Sequence, residues 1–278
     1  MKFTTLATRG LFAAATLLAS TSLLFTTPAS AATPAQIKAK GEVVIGIQAA
    51  NPPWGYVNAA TGQADGVDAD MGRLFAKYLG VKAKFVGLEV ANRIPALTSG
   101  RVDVLFATMA MLPDRAKAVQ FSEPYIANSI TLVAPKTTAI KTDADMKNYV
   151  IGVPRSSVQD IDITKAAPAG TVIRRFDDDA ATIQAMLSGQ VQAVGGNAFY
   201  VKRLDDAKPG VFENKLTFTR LYNGACSPLG DKELNAALNG FIKQITANGE
   251  LAKIQTKWMG YSMMNFPKSI PGIPFVAK

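Results

Sequence analysis

Residues 82–107, KAKFVGLEVANRIPALTSGRVDVLFA, hold the pattern on which the fold turns. Lys82 to Val86 reads as a strand, Arg93 to Ser99 as a short helix stopped by Gly100, and Val102 to Ala107 as a second apolar strand. Upstream, the β-branched run Val43 to Ile47 reads as a buried strand, broken by Asn51-Pro52-Pro53-Trp54-Gly55. From Asp68 to Leu79, Met71, Leu74, Phe75, Tyr78 and Leu79 recur at helical spacing, and Gly80 ends the run. A second series follows downstream. Strands are predicted over Ile130 to Val133, Tyr149 to Val153, Thr171 to Arg174 and Val191 to Gly195. Between them, Ser156-Ser157 can cap a helix reaching about Ala166, and Asp177-Asp178-Asp179 open another through Leu187, ended by Gly189. After Leu216 to Leu221, the tail from Leu234 to Trp258 is helical with a break at Asn248-Gly249, and Lys268 to Pro274 reads as an extended surface end. Buried strands alternating with helices predict an α/β protein with a mainly parallel sheet.

The N-terminus has a different character. Lys2 and Arg9 precede an apolar stretch from Leu11 to Leu24, and Ala29-Ser30-Ala31 is a small-x-small cleavage pattern. Residues 1–31 are therefore expected to be a cleaved signal peptide that exports the chain. The stretch is short for a membrane span, which needs about 20 apolar residues. The remaining chain, 278 residues less 31, is about 247 residues, enough for one large domain or two lobes. Without Lys2 and Arg9 the formal charge falls from +9 to +7. The basic residues are scattered, with no aromatic-studded basic run, so a nucleic-acid partner is not expected. The chain has one cysteine, Cys226, and no histidine. Ser-His and Cys-His nucleophiles and most transition-metal sites are thereby excluded, and Cys226 is expected to be a small buried apolar residue.

Four segments, in order along the chain, carry a resemblance. They are Pro53-Trp54 with Gly66-Val67-Asp68-Ala69-Asp70, and Asn92-Arg93-Ile94-Pro95 running to Asp103. Leu112-Pro113-Asp114-Arg115 with Phe121-Ser122-Glu123-Pro124-Tyr125 is the third, and Ala247-Asn248-Gly249-Glu250-Leu251 before Lys257-Trp258 the fourth. Together they resemble the amino-acid class of periplasmic solute-binding proteins of ABC transporters. The resemblance implies the type II periplasmic binding protein fold: two α/β lobes, two hinge strands and a ligand in the interlobe cleft. Residues 41–129 and 228–278 would form lobe 1, residues 135–222 lobe 2, and residues 130–134 and 223–227 the hinges. It further implies a monomer that closes over a small amino acid or carboxylate and presents it to a membrane permease, with no cofactor, no metal and no catalysis.

The same resemblance implies the ligand contacts. Arg115 matches the arginine that clamps the ligand carboxylate, a task suited to a planar guanidinium. Thr108 and Ala110 fall on the loop before it, where Ala110 lacks the hydroxyl relatives carry. Ser156 and Ser157 fall at a helix N-terminus able to offer N–H groups to an anion. Trp54, with Tyr56 as an alternative, is a candidate aromatic wall. Asn197 stands where relatives place an aspartate for the ligand ammonium, and Gln48 where some have another acid. Loss of both acids argues against cationic ligands, and Arg93, with Arg155 nearby, favours an acidic amino acid or another small carboxylate. Asp68 and Asp70 read as helix-start residues. A stand-alone sensory module is an alternative, and so is a dehydratase on the same fold, for which Glu89 is the first acid to examine.

Overall fold

In the computed structural model, residues 32–263 and 265–277 are described, together with Met1. The expected leader lies, apart from Met1, outside the described residues. A short helix, α1 (Pro34–Lys40), is capped by Thr33 and stopped by Gly41. β1 (Glu42–Gln48) follows, with Val43, Ile45 and Ile47 buried. Three short strands, β2 (Ala50–Asn51), β3 (Gly55–Val57) and β4 (Ala64–Asp65), pair antiparallel around the double-proline turn. α2 (Val67–Leu79) then begins with Asp68 and Asp70 in its first turn. Its N-cap must be glycine. Gly66 has φ +101°, and a Cβ there would stand 2.6 Å from the Trp54 carbonyl oxygen.

The strand–helix–strand reading of residues 82–107 corresponds to β5 (Lys82–Leu88), α3 (Arg93–Thr98) and β6 (Val104–Leu105), with β1 lying between the strands and parallel to both. A single turn, α4 (Pro113–Ala116), leads into β7 (Val119–Pro135). The second series is β8 (Val150–Pro154), α5 (Val158–Ala166), β9 (Val172–Phe176), α6 (Asp179–Leu187) and β10 (Ala193–Asn197). Here β8 is parallel to both β9 and β10. The chain continues through α7 (Tyr200–Ala207) and β11 (Phe212–Pro228), then α8 (Lys232–Ala247) and α9 (Glu250–Met259), which meet at the expected Asn248-Gly249 break.

Eight strands form one sheet in the order β5-β1-β6-β11-β7-β10-β8-β9. The expectation of a mainly parallel sheet needs correcting at its centre. β7 and β11, 17 residues each, run antiparallel to one another, and also to β10 and β6 respectively. They carry the chain from one β/α series to the other and back, which is the two-lobed arrangement. Only their most apolar stretches stood out in sequence, because β7 begins in polar residues and contains Pro124. That proline is tolerated at a register shift opposite Gly224.

Each end of the sheet has its own core. At the β1 end, Phe75, Phe106, Tyr125 and Phe241 form a buried aromatic cluster between the sheet and the helices α2 and α8. At the other end, Tyr200 and Leu204 of α7 pack with Ile183, Met186 and Val194. Such side chains contribute about 1.5–3 kcal/mol each on full burial. Near the C-terminus, Ile273 is buried, and the carbonyls of Pro274 and Phe275 accept from Gln120 and Asn239.

Candidate functional site

The C-terminal ends of the parallel strands all face one small cavity, with room of about 30 Å³. This is where open α/β sheets place ligands, because loops and helix starts converge there. Gln48 ends β1, Arg93 begins the helix after β5, and Thr108 and Ala110 follow β6. From the other series come Ser157 before α5, Asp179 opening α6 and Asn197 ending β10. Asn128, Ile130, Leu221 and Asn223 of the crossing strands also line the cavity.

Two guanidiniums dominate its electrostatics. Arg93 is buried, with Nε donating to the Val90 carbonyl (2.9 Å) and Nη1 to those of Ala107 (2.8 Å) and Thr108 (3.2 Å). Arg115 donates through Nη1 to the Ala110 carbonyl (3.4 Å) and through Nη2 to that of Ser156 (3.2 Å). Burial lowers both pKa values, and burial together with the positive charge of Arg93 pushes Arg115 down to about 9. Neither arginine forms an ion pair with a carboxylate among the described residues. A buried charge left in that state is costly, and an anion would relieve it.

Two residues flanking these arginines adopt left-handed backbone: Thr108 (φ 50°) and Ser156 (φ 59°). For a β-branched threonine this is strained and persists only where surrounding contacts enforce it. Here the Thr108 hydroxyl donates to the Asp68 carboxylate. Ser157 caps α5 by accepting from the Asp160 N–H, while the Ser156 N–H donates to the Asp160 carboxylate. Ser157 lines the cavity and Ser156 does not, reaching it only through the carbonyl that Arg115 holds.

Asp179 is the residue that the sequence reading treated only as a helix start. Asp178 makes the cap, accepting from the Ala181 N–H, and so the next carboxylate turns inward. Asp179 is 2% exposed, accepting from the Tyr200 hydroxyl (2.8 Å) and from Gln48 Nε2 (3.1 Å). Burial raises its pKa against the lowering influence of Arg203, Tyr200 and Arg93. Its signal was positional: a first-turn acid at the C-terminal end of a parallel strand faces the ligand side of this fold. Asn197, by contrast, is satisfied within the protein. Its Nδ2 donates to Asn51 Oδ1 (3.0 Å), and its Oδ1 accepts from the Phe199 N–H (2.9 Å).

The structure thus brings together Gln48, Arg93, Thr108, Ala110, Arg115, Ser157 and Asn197, and adds Asn51, Asn128, Gln159, Asp179 and Asn223. Trp54 lies outside this lining. It is buried in the β1-end core with its ring edge-on to Phe199, 6.0 Å between centroids, because the turn after Pro53 folds it under α2. Tyr56 and Glu89 are also absent from the lining, Glu89 being exposed. Cys226 is buried, and burial pushes its thiol pKa upward, away from nucleophile chemistry. Hydrogen bonds from Arg115 to Ser156, Gln48 to Asp179 and Asn197 to Asn51 span the cavity, so the cleft is shut.

Residues 43–261 match the bacterial extracellular solute-binding proteins, family 3, and the chain belongs to that family. It has the two-lobed periplasmic binding fold of such solute-binding proteins. Among its relatives, the L-cystine-binding protein TcyJ of Escherichia coli strain K12 is 25% identical over 81% of this chain and 85% of its own length. The glutamine-binding protein GlnH of Bacillus subtilis strain 168 is 29% identical over 82% and 84%. A crystal structure of a solute receptor for L-cysteine from Neisseria gonorrhoeae superposes with a TM-score of 0.77 at 30% identity, covering 82% of this chain and 94% of that one. These relatives are binding proteins rather than enzymes. No helix among the described residues is long and apolar enough to cross a membrane.

Proposed function

We propose that this chain captures an acidic α-amino acid by closing its two lobes and hands it to the membrane permease of an ABC transporter. The observation that carries the reading is a charge balance. Two buried guanidiniums, Arg93 and Arg115, line the cavity against one carboxylate, Asp179. Glutamate or aspartate carries the complementary set, two carboxylates and one ammonium. Arg115 would take the α-carboxylate, Arg93 the side-chain carboxylate and Asp179 the ammonium, a charge that Asn197 and Gln48 do not supply. Thr108, the Ala110 backbone and the Ser157 end of α5 would complete the polar shell.

The family and the amino-acid-binding relatives support the general class, while their named ligands differ from one another. The choice among amino acids therefore rests on this cavity. The relay to a permease also rests on closure. Residues 41–129 with 228–278 would move against 135–222, bending at 130–134 in β7 and at 223–227 in β11. Residues 1–31 would direct export and be removed, and the mature protein would act as a monomer.

The test is calorimetric titration of the refolded, solute-free mature protein with glutamate, aspartate, glutamine, cystine, arginine and glutarate. Tightest one-to-one binding of an acidic amino acid is the expected result. Preference for arginine would overturn it, and preference for glutarate would remove the ammonium role of Asp179.

A further inference from the structure

Asn223 is 1% exposed and lines the cavity, yet neither its Nδ2 nor its Oδ1 has a hydrogen-bond partner among the described residues. Buried amides in folded proteins are almost always paired, so one left bare on both atoms calls for a reason. Its surroundings supply one. Asn223 pairs with Ala110 in an isolated antiparallel bridge, which places the two side chains on one face about 5 Å apart. Arg115 donates to the carbonyl of that same Ala110, and Arg115 and Asn223 both line the cavity. Ala110 offers only a methyl group and so gives the amide no side-chain partner. Asn128 Oδ1, also in the lining and opposite Leu221 on the neighbouring strand, is bare as well.

We infer that Asn223 is a ligand-contacting, specificity-determining residue, its Nδ2 donating to the carboxylate held by Arg115 and its Oδ1 accepting from the ammonium. Ligands with an adjacent carboxylate and ammonium satisfy both atoms at once, whereas an amine-free dicarboxylate leaves Oδ1 unpaired. The amide therefore adds α-amino-acid selectivity at a place where Asn197 has none to spare. The inference rests on the reading of this cavity as the amino-acid site.

The test compares the wild type with Asn223→Leu, Asn223→Ser and the double variant Ala110→Ser/Asn223→Leu. All are screened by thermal shift against the twenty common amino acids, L-cystine and glutarate, and then titrated with whichever binds the wild type most tightly. Asn223→Leu is expected to bind that amino acid about 10- to 100-fold more weakly. Ala110→Ser/Asn223→Leu is expected to recover part of the loss by returning a donor beside Arg115, which a purely structural role would not do. Asn223→Ser, a smaller change to the fold, is expected to fall between. Affinity of Asn223→Leu within twofold of the wild type overturns the inference, as does a wild type stabilised by none of the amino acids. Failure of the acidic-ligand reading is separate: the wild type then prefers a non-acidic amino acid, while Asn223→Leu still loses affinity for it.

Discussion

Thr108 Oγ1 donates a 2.9 Å hydrogen bond to Asp68 Oδ2, tying the loop after β6 to the first turn of α2. The other oxygen of Asp68 accepts from the Tyr125 hydroxyl at 2.9 Å. The same loop carries Ala110 and leads to Arg115, so a carboxylate outside the cavity fixes one of its walls. The bond also holds Thr108 in its left-handed conformation, which a free threonine avoids.

Burial raises the pKa of Asp68 to about 6 from 3.8, against the lowering effect of its two hydroxyl donors. Between those values the folded chain holds a proton that the unfolded chain releases. This contribution to stability is fully present below pH 3.8 and is lost as pH rises through about 6. Asp179, also raised by burial, acts with the same sign. Urea unfolding at pH 4, 5, 6 and 7 should show a shallower decline for Asp68→Asn than for the wild type. Parallel profiles would mean that Asp68 does not titrate in this range.

Arg115 is buried with carbonyl partners only, so its charge serves the ligand more than the fold. Arg115→Met should weaken binding of an acidic amino acid by roughly 30-fold or more while leaving the melting temperature of the empty protein unchanged or raised. Arg115→Lys should not restore affinity, because an ammonium cannot make the two parallel bonds of a guanidinium. Calorimetry and a thermal scan of each variant check both halves.

Asp179→Asn removes the one carboxylate in the cavity lining. The preference for glutamate over glutarate should shrink by about tenfold or more, since only glutamate has an ammonium to lose its partner. Competition titrations of the two ligands measure the ratio, and an unchanged ratio would place the ammonium elsewhere.

Gly196 is required by the close approach of Tyr200, whose ring atoms would stand 2.1 Å from an added Cβ. Gly196→Ala should cost about 1–3 kcal/mol of stability by overpacking. Tyr200 also holds Asp179, so binding should weaken in the same variant. A thermal scan paired with titration tests the linkage, and loss of stability alone would uncouple them.

Much of this was legible in the sequence. Apolar spacing located α2, and the glycines at 80 and 100 marked where α2 and α3 end. Four motifs in order along the chain gave the family resemblance, and the residue series 48, 93, 108, 110, 115, 157 and 197 falls on one cavity. These signals are local, because periodicity, caps and turn residues act over a few positions. What escaped was set by contacts distant in sequence. The run of β7 past Pro124 is fixed by pairing with β11, about a hundred residues later. The inward turn of Asp179 depends on Asp178 taking the cap, on Tyr200 of the same lobe and on Gln48 across the cleft. The bare amide of Asn223 shows only when its strand is laid beside Ala110. Trp54 moved from the expected wall into the core for a like reason, since burial against Phe199 is decided by a neighbour 145 positions away. The sequence by itself determined the elements and the chemistry available. The tertiary structure decided which polar groups are satisfied within the protein and which face the cavity, because burial and pairing are properties of the assembled chain.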